Sequence, residues 1–188
     1  MPNKKHKFLD SFPDHVYRYI DQTGAGRAPV SSDVPREDLN KQGYEAYFTV
    51  NGFKGEVDAK KEHCTSINAF FVDIDGRKDP AEIEDIKEKL EPSFILETKN
   101  GFHIYWLLDE PVFKDEVTED EWNNAVMRWE RIEQSIVTTL KADPVVKDIT
   151  RIMRQPGTLY WKRSGDAWKS GTTGVFKIKG IHKNIAAN

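Results

Sequence analysis

Apolar residues along this chain fall into short runs, and the spacing within each run predicts an element. "GYEAYFTVNG" (43–52) and "SINAFFVDID" (66–75) are rich in aromatic and β-branched residues and bounded by polar ones, so both read as strands. "PSFILETKNGFHIYWLLDEP" (92–111) sets two such runs around Asn100-Gly101, a dipeptide that tolerates the positive φ of a tight turn, and predicts a β-hairpin. On its second strand His103, Tyr105 and Leu107 face one way, and Ile104, Trp106 and Leu108 the other. Helical spacing appears in "DPAEIEDIKEKL" (79–90), with Asp79 at N-cap, Pro80 at N1, Glu82 at N3 and Ile83, Ile86 and Leu90 on one face. The segment from about Thr118 to Leu140 carries a Thr118/Glu121 capping box and apolar positions Trp122, Val126, Trp129, Ile132 and Ile136, predicting a long core-packing helix.

Weaker patterns flank these elements. "SFPDHVYRYIDQTG" (11–24) reads as a short helix, with Ser11 as cap, Pro13 near its start and Gly24 past its end. "RAPVSSDVPRED" (27–38) is a polar, proline-broken loop. "TLYWK" (158–162) and "TGVFKIKG" (173–180) are short strand candidates separated by a Gly/Ser/Lys loop. The order β-α-β-β-α-β after residue 67 predicts an α+β fold with a ferredoxin-like, or RNA-recognition-type, palm.

Composition adds exclusions. A chain of 188 residues is long enough for one sizeable core. The single cysteine, Cys64, excludes a disulfide framework and a Cys-rich zinc site, and fits an intracellular protein. The N-terminus lacks an apolar signal region, and no apolar run reaches membrane-spanning length, so the expectation is a soluble protein with no membrane partner. The formal charge of -3 divides unevenly: residues 141–188 hold ten Lys+Arg against three Asp+Glu, a local +7 that leaves -10 for residues 1–140. A basic C-terminal quarter points to a polyanionic partner. The chain has no Gly-x-x-x-x-Gly-Lys-Ser/Thr loop, no His-x-His element and no nucleobase-deaminase cysteine pattern.

The carboxylates supply the candidate chemistry. Alternation puts Asp73 and Asp75 on one strand face, roughly 6–7 Å apart, where like charges repel unless a cation or water screens them. If the hairpin joins the same sheet, that face also bears His103 and Tyr105. "ADPVVKDITRIMRQPGTLYWK" (142–162) then contributes Asp143, Asp148, Arg151, Arg154 and Lys162; acids bind divalent metal, and Arg and Lys bind phosphate. Each residue also has a plain reading. An Asp-x-Asp pair can be a solvated strand exit, a strand histidine a half-buried hydrogen-bonder, and Arg151 and Arg154 ion-pair partners. Tyr105, Trp106, Trp122 and Trp129 are most simply packing residues.

Together, "FFVDIDG", "TKNGFHIYW" and "DPVVKDITRIMRQPGTLYWK" resemble the three motifs of the archaeo-eukaryotic primase (AEP) superfamily, in its branch of plasmid, phage and mobile-element primase-polymerases. The resemblance implies that Asp73 and Asp75 bind metal, that His103 contacts the incoming nucleotide's phosphates, and that Asp143 completes the metal site. Relatives carry basic residues at +8 and +11 from that last aspartate, as Arg151 and Arg154 stand to Asp143; Asp148 is the alternative. Many relatives have serine two positions before the histidine, where this chain has Gly101. The implied fold is one AEP catalytic domain over 1–188, with an N-terminal α/β part over about 1–65 and an RRM-like catalytic part over 66–180.

The implied activity is template-directed nucleotidyl transfer, as a DNA primase, a DNA polymerase or both, with Mg²⁺ or Mn²⁺ as cofactor. His103, Arg154, Lys162 and Arg151 are the implied nucleotide-binding set, and Tyr47 and Asn51 are placed at the pocket's border. Implied partners are single-stranded DNA template and primer, NTP or dNTP, and a helicase or helical accessory domain in a longer parent protein. The implied location is the cytoplasm of a bacterial or archaeal host, with a phage or plasmid as source. Two other classes use the same residues: a two-metal nuclease, and a non-catalytic module that binds single-stranded DNA through the basic tail.

Overall fold

The computed structural model describes residues 8–54, 59–76, 79–98, 100–164 and 167–172, with side chains through residue 161. In chain order the elements are β1 (Tyr17–Asp21), β2 (Val30–Ser32), α1 (Glu37–Lys41), β3 (Tyr44–Thr49), β4 (Ser66–Ile74), α2 (Pro80–Leu90), β5 (Phe94–Glu97), β6 (Phe102–Phe113), α3 (Glu119–Thr139), β7 (Ile152–Arg154), β8 (Leu159–Ser164) and β9 (Ala167–Thr172). They build a four-stranded antiparallel sheet in the order β2-β1-β3-β7, a three-stranded antiparallel sheet in the order β4-β6-β5, and the hairpin β8-β9. Among the described residues no helix is long and apolar enough to cross a membrane.

The two larger sheets meet through an aromatic cluster. Phe48 of β3 and Tyr105 of β6 both pack on Phe8 and Phe12 at ring-centroid distances of 5.3–5.6 Å, and Phe94 of β5 closes on Phe8 at 5.0 Å. The opposite face of the three-stranded sheet lies under the helices: Phe70 stacks on Trp129 of α3 at 5.9 Å, and the Trp106 indole donates to the carbonyl of Leu90 at the end of α2. Burial on both faces explains why "AFFV" is a continuous apolar run rather than an alternating one. A register shift between Ile67 and Ala69 takes Asn68 out of the ladder. Its backbone N–H then donates to the Asn51 side chain, and its own amide donates to the carbonyls of Pro13 and Val50.

Several elements follow the sequence closely. The Thr118/Glu121 capping box is formed, and Asp79 caps α2 through the N–H of Ala81, one residue earlier than box geometry predicts. Others differ. Residues 17–21, expected in a helix, form β1, because Tyr17 and Tyr19 are buried toward the core while Arg18 turns to the other face, a period of two that the caps at Ser11 and Gly24 had masked. The proline-broken loop contains the short β2, and β9 lies in the expected Gly/Ser/Lys loop, paired along its length with β8. The strand candidate at 173–180 lies outside the described residues.

The palm also departs from a ferredoxin-like sheet. Elements β4-α2-β5-β6-α3 follow the expected order, but the next strand, β7, falls where none was expected and pairs antiparallel with β3, Tyr47 opposite Arg154 and Thr49 opposite Ile152, while the strand expected at 158–162 forms β8 and pairs with β9; neither pairs with β4. The free edge of β4 is occupied from elsewhere. The Trp129 indole donates to the carbonyl of Ala69 (2.9 Å), the N–H of Phe71 donates to Glu133 (3.3 Å), and the N–H of Asp143 donates to the carbonyl of Asp73 (2.8 Å). With these groups satisfied, β4 has no need of a fourth strand.

Candidate active site

The register of β4 on β6 sets Asp73 directly opposite His103, and Phe71 opposite Tyr105. Directly opposed residues share a face, so the carboxylate and imidazole project together, as the alternation predicted. His103 Nε2 lies 3.6 Å from Asp73 Oδ1, with the His103 side chain 9% exposed and that of Asp73 29%. The His103 ring meets Tyr105 edge-on at 6.5 Å, and its Nδ1 is buried without a hydrogen-bond partner among the described residues. Tyr105 is fully buried, its hydroxyl also unpartnered; burial raises its proton affinity well above the ordinary phenol value, and the charge of Asp73 adds to this. The face expected to bear Asp73, His103 and Tyr105 is therefore polar only at the end of the sheet, because Tyr105 already belongs to the aromatic core.

Asp75 follows the last residue of β4 and is exposed; its Oδ1 accepts from the N–H of Gly76 at 3.0 Å. The hairpin tip presses against it. A Cβ at Gly101 would lie 1.7 Å from the carbonyl oxygen of Ile74 and 3.1 Å from Cα of Asp75. Gly101 does not have a positive φ, so the glycine answers to space rather than to turn geometry. The tip is closed by Thr98, whose Oγ1 accepts from the Gly101 N–H at 2.9 Å and whose N–H donates to the Gly101 carbonyl at 2.9 Å.

Asp143 arrives where α3 ends. Lys141 takes φ 50°, the Ala142 N–H returns to Val137, and the next N–H bonds Asp73. The Asp143 carboxylate, half-buried, accepts from the N–H of Val145 at 2.9 Å. Asp148 is exposed, with its carboxylate on the N–H of Thr150 at 2.8 Å. The structure thus brings Asp73, His103 and the Asp143 backbone together.

The remaining expected residues lie elsewhere or outside what is described. Arg154 sits on the outer face of the four-stranded sheet, its Nη1 2.9 Å from Glu45, with its guanidinium over the rings of Tyr47 (5.2 Å) and Tyr160 (4.6 Å). The Tyr47 hydroxyl donates to Glu45 as well. Arg151 is half-buried just before β7, and the backbone of Lys162 lies in β8 opposite Lys169, its side chain outside the described ones. Asn51 is fully buried, donating to the carbonyl of Ile149 and accepting from Asn68.

For a divalent ion, the donor chemistry fits and the convergence does not. Asp73, Asp75 and Asp143 are hard oxygen donors, and none is paired with Lys or Arg among the described residues. Yet among the described residues no three His, Cys, Asp or Glu side chains converge closely enough to hold a metal. The carboxylates of Asp75 and Asp143 are both turned onto neighbouring backbone N–H groups.

One residue close to this region escaped the sequence pattern. The expected α3 stripe included Ile132 and Ile136, but the fully buried positions are Glu133 and Val137. Burial raises the proton affinity of Glu133 well above the usual carboxylate range, against the opposing pull of the Phe71 N–H.

No protein-family model and no curated protein matches this sequence. Solved structures do match the fold. The AEP domain of the cyanophage S-2L primase-polymerase superimposes with a TM-score of 0.64 at 22% identity, over 95% of this chain and 90% of that one. Primase RepB′ superimposes with a TM-score of 0.60 at 14% identity, over 96% of this chain and 56% of that one. The catalytic domain of primase RepB′ in complex with initiator DNA gives 0.52 at 14% identity, over 82% and 74%. This chain therefore has an α+β fold related to the catalytic domains of AEP-type primase-polymerases, at low sequence identity.

Proposed function

We propose that this chain is a template-directed nucleotidyltransferase, a DNA primase or DNA polymerase that adds NTP or dNTP to a nucleic-acid 3′-hydroxyl. The observation that carries the reading is the pairing of Asp73 with His103 across β4 and β6, with Asp143 bonded to the same residue from the end of α3. Three chain segments distant in sequence meet at one sheet end, in a fold related to enzymes of this class.

In this reading Asp73, Asp75 and Asp143 hold Mg²⁺ or Mn²⁺, for which Asp75 and Asp143 give up their local bonds to Gly76 and Val145. A divalent ion there would supply a lower pKa for the primer hydroxyl and neutralisation of charge on the α-phosphate and pyrophosphate. His103 donates a hydrogen bond to the β- or γ-phosphate, with Arg151 and Lys162 adding charge. Arg154, held by Glu45, acts by ordering Tyr47 and Tyr160. The basic C-terminal quarter follows the template backbone, so affinity for single-stranded DNA falls steeply with salt. The protein works in the cytoplasm of a phage- or plasmid-bearing cell, alongside a helicase or helical accessory domain.

The test is incubation of the full chain with primed and unprimed single-stranded templates, labelled NTPs or dNTPs, and Mg²⁺ or Mn²⁺. Product is expected from the wild type and none from Asp73→Asn, with unchanged circular dichroism. Normal elongation by Asp73→Asn would overturn the assignment. Metal-dependent loss of template without synthesis would indicate a nuclease, and DNA binding without either reaction a non-catalytic module.

A further inference from the structure

In β4, residues 69, 71 and 73 turn their backbone groups away from β6, along an edge that no strand covers among the described residues. Helix α3 lies along that edge, but a helix interior has spent its own N–H and C=O groups on itself and cannot extend a ladder. Side chains must reach across instead. Trp129 supplies a donor to Ala69 and Glu133, one turn on, an acceptor to Phe71; the chain leaving the helix then supplies the Asp143 N–H to Asp73. The order is collinear. Each step of two residues along β4 is matched by one partner further along α3 and its exit.

We propose that Glu133 is a positioning residue of the candidate site: from the buried face of α3 it holds the free edge of β4 so that Asp143 reaches Asp73. The inference rests on the reading of that site given above. A leucine would suit the apolar stripe of α3 better than a carboxyl group, which is costly to bury. Glutamate at this position makes sense because an apolar residue would leave the Phe71 N–H buried and unpaired, two residues before Asp73. Loss of that contact frees the strand to shift against the helix, and a displacement of about 1 Å at a reacting centre can cost roughly 100-fold in rate. Glu133 touches neither substrate nor metal; it acts through the β4 backbone.

The test uses amide hydrogen exchange and Mn²⁺ titration on the full chain. Wild type is expected to protect the Asp143 and Phe71 amides. In Glu133→Leu the Asp143 amide exchanges at least tenfold faster, measured against the Ile104 amide of central strand β6 to remove any global loss of stability. Glu133→Gln, which keeps an acceptor, retains protection. Mn²⁺ affinity falls at least tenfold in the leucine variant and stays within threefold in the glutamine variant. Unchanged Asp143 protection in Glu133→Leu, or unchanged Mn²⁺ affinity, overturns the proposal.

Should the leucine variant fail to fold, Glu133→Met, which keeps the side-chain length and drops the carboxyl acceptor of the Phe71 N–H, takes its place and is expected to speed Asp143 exchange in the same way; an unchanged rate there is equally decisive against it. If the wild type shows no Asp73-dependent Mn²⁺ binding, the reading of the site fails, while the exchange experiment still decides whether Glu133 positions Asp143.

Discussion

The backbone N–H of Asp143 lies 2.8 Å from the carbonyl oxygen of Asp73, whereas Asp148, five residues on, directs its carboxylate to the N–H of Thr150 at the surface. Both acids follow the long helix and both cap a turn, so residue type does not separate them. Backbone contact with the β4 strand does. Asp143→Asn is expected to lower nucleotide incorporation by about 100-fold or more, the order found when a preorganised charge at a reacting centre is removed. Asp148→Asn should stay within about threefold of wild type, as surface changes usually cost little. Steady-state incorporation with Mn²⁺ on a primed template checks both, and the reverse order would assign the third carboxylate to Asp148.

Gly101 makes a second prediction, independent of any metal. An added Cβ would meet the Ile74 carbonyl at 1.7 Å, a contact that backbone alone must relieve. Gly101→Ala is expected to destabilise by about 2 kcal/mol through overpacking, lowering the Tm by roughly 4–8 °C for a chain of this size. Because the clash falls between Asp73 and Asp75, the damage should extend to the site, with activity at 25 °C falling well beyond the folded fraction. Calorimetry beside the primer-extension assay checks it. A Gly101→Ala protein with wild-type Tm would show that the hairpin tip moves freely away from β4.

Much of this arrangement is legible in the sequence because its signals are local. The Thr118/Glu121 box, the Asp79-Pro80 start of α2 and the apolar runs of β4 to β6 each depend on neighbours within a few residues. The opposition of Asp73 and His103 follows from period-two alternation once the two strands are paired. What the sequence hides depends on distant partners. The helix expected at 11–24 fails because the alternation of Tyr17 and Tyr19 is completed by β3, which pairs along all of β1. Pairing of β7 with β3 instead of β4 depends on what covers the β4 edge, and the cover includes Glu133, a charged residue that hydropathy places on the solvent face. Gly101 shows the reverse confusion: Asn-Gly is a strong turn signal, yet the glycine is required by the carbonyl beneath it. Arg154 lies in the motif that attracts a phosphate-binding role, and only the fold reveals Glu45 opposite its guanidinium.

Acid stability should report on Asp21. Its carboxyl accepts from the Arg27 guanidinium at 2.8 Å and from the hydroxyl and N–H of Thr23, and these bonds hold it well below its ordinary value of 3.8. The folded protein therefore keeps Asp21 ionised where the unfolded chain would protonate it. Its contribution is complete above the unfolded value and is lost as pH falls from about 4 toward the depressed folded value. Asp21→Asn is expected to lower Tm at pH 7 and to flatten the decline of Tm below pH 4. Melts at half-unit intervals from pH 7 to pH 2.5 measure this; parallel acid limbs for the two proteins would contradict it.

Arg154 and Glu45 form a pair whose disruption can mimic loss of a substrate contact. The Arg154 side chain is 19% exposed and that of Glu45 only 6%, so removing the guanidinium leaves a buried carboxylate beside the Tyr47 hydroxyl. Breaking such a pair from one side costs roughly 3 kcal/mol, whereas replacing both partners costs less, since no charge is stranded. Arg154→Ala should be strongly destabilised in urea, and the Arg154→Ala/Glu45→Gln double variant should recover about 1–2 kcal/mol of that loss. The same cycle separates structure from function. If Arg154 acts only through Glu45, Tyr47 and Tyr160, the double variant regains nucleotide affinity along with stability. If the guanidinium itself grips phosphate, stability returns and the apparent KM for nucleotide stays raised.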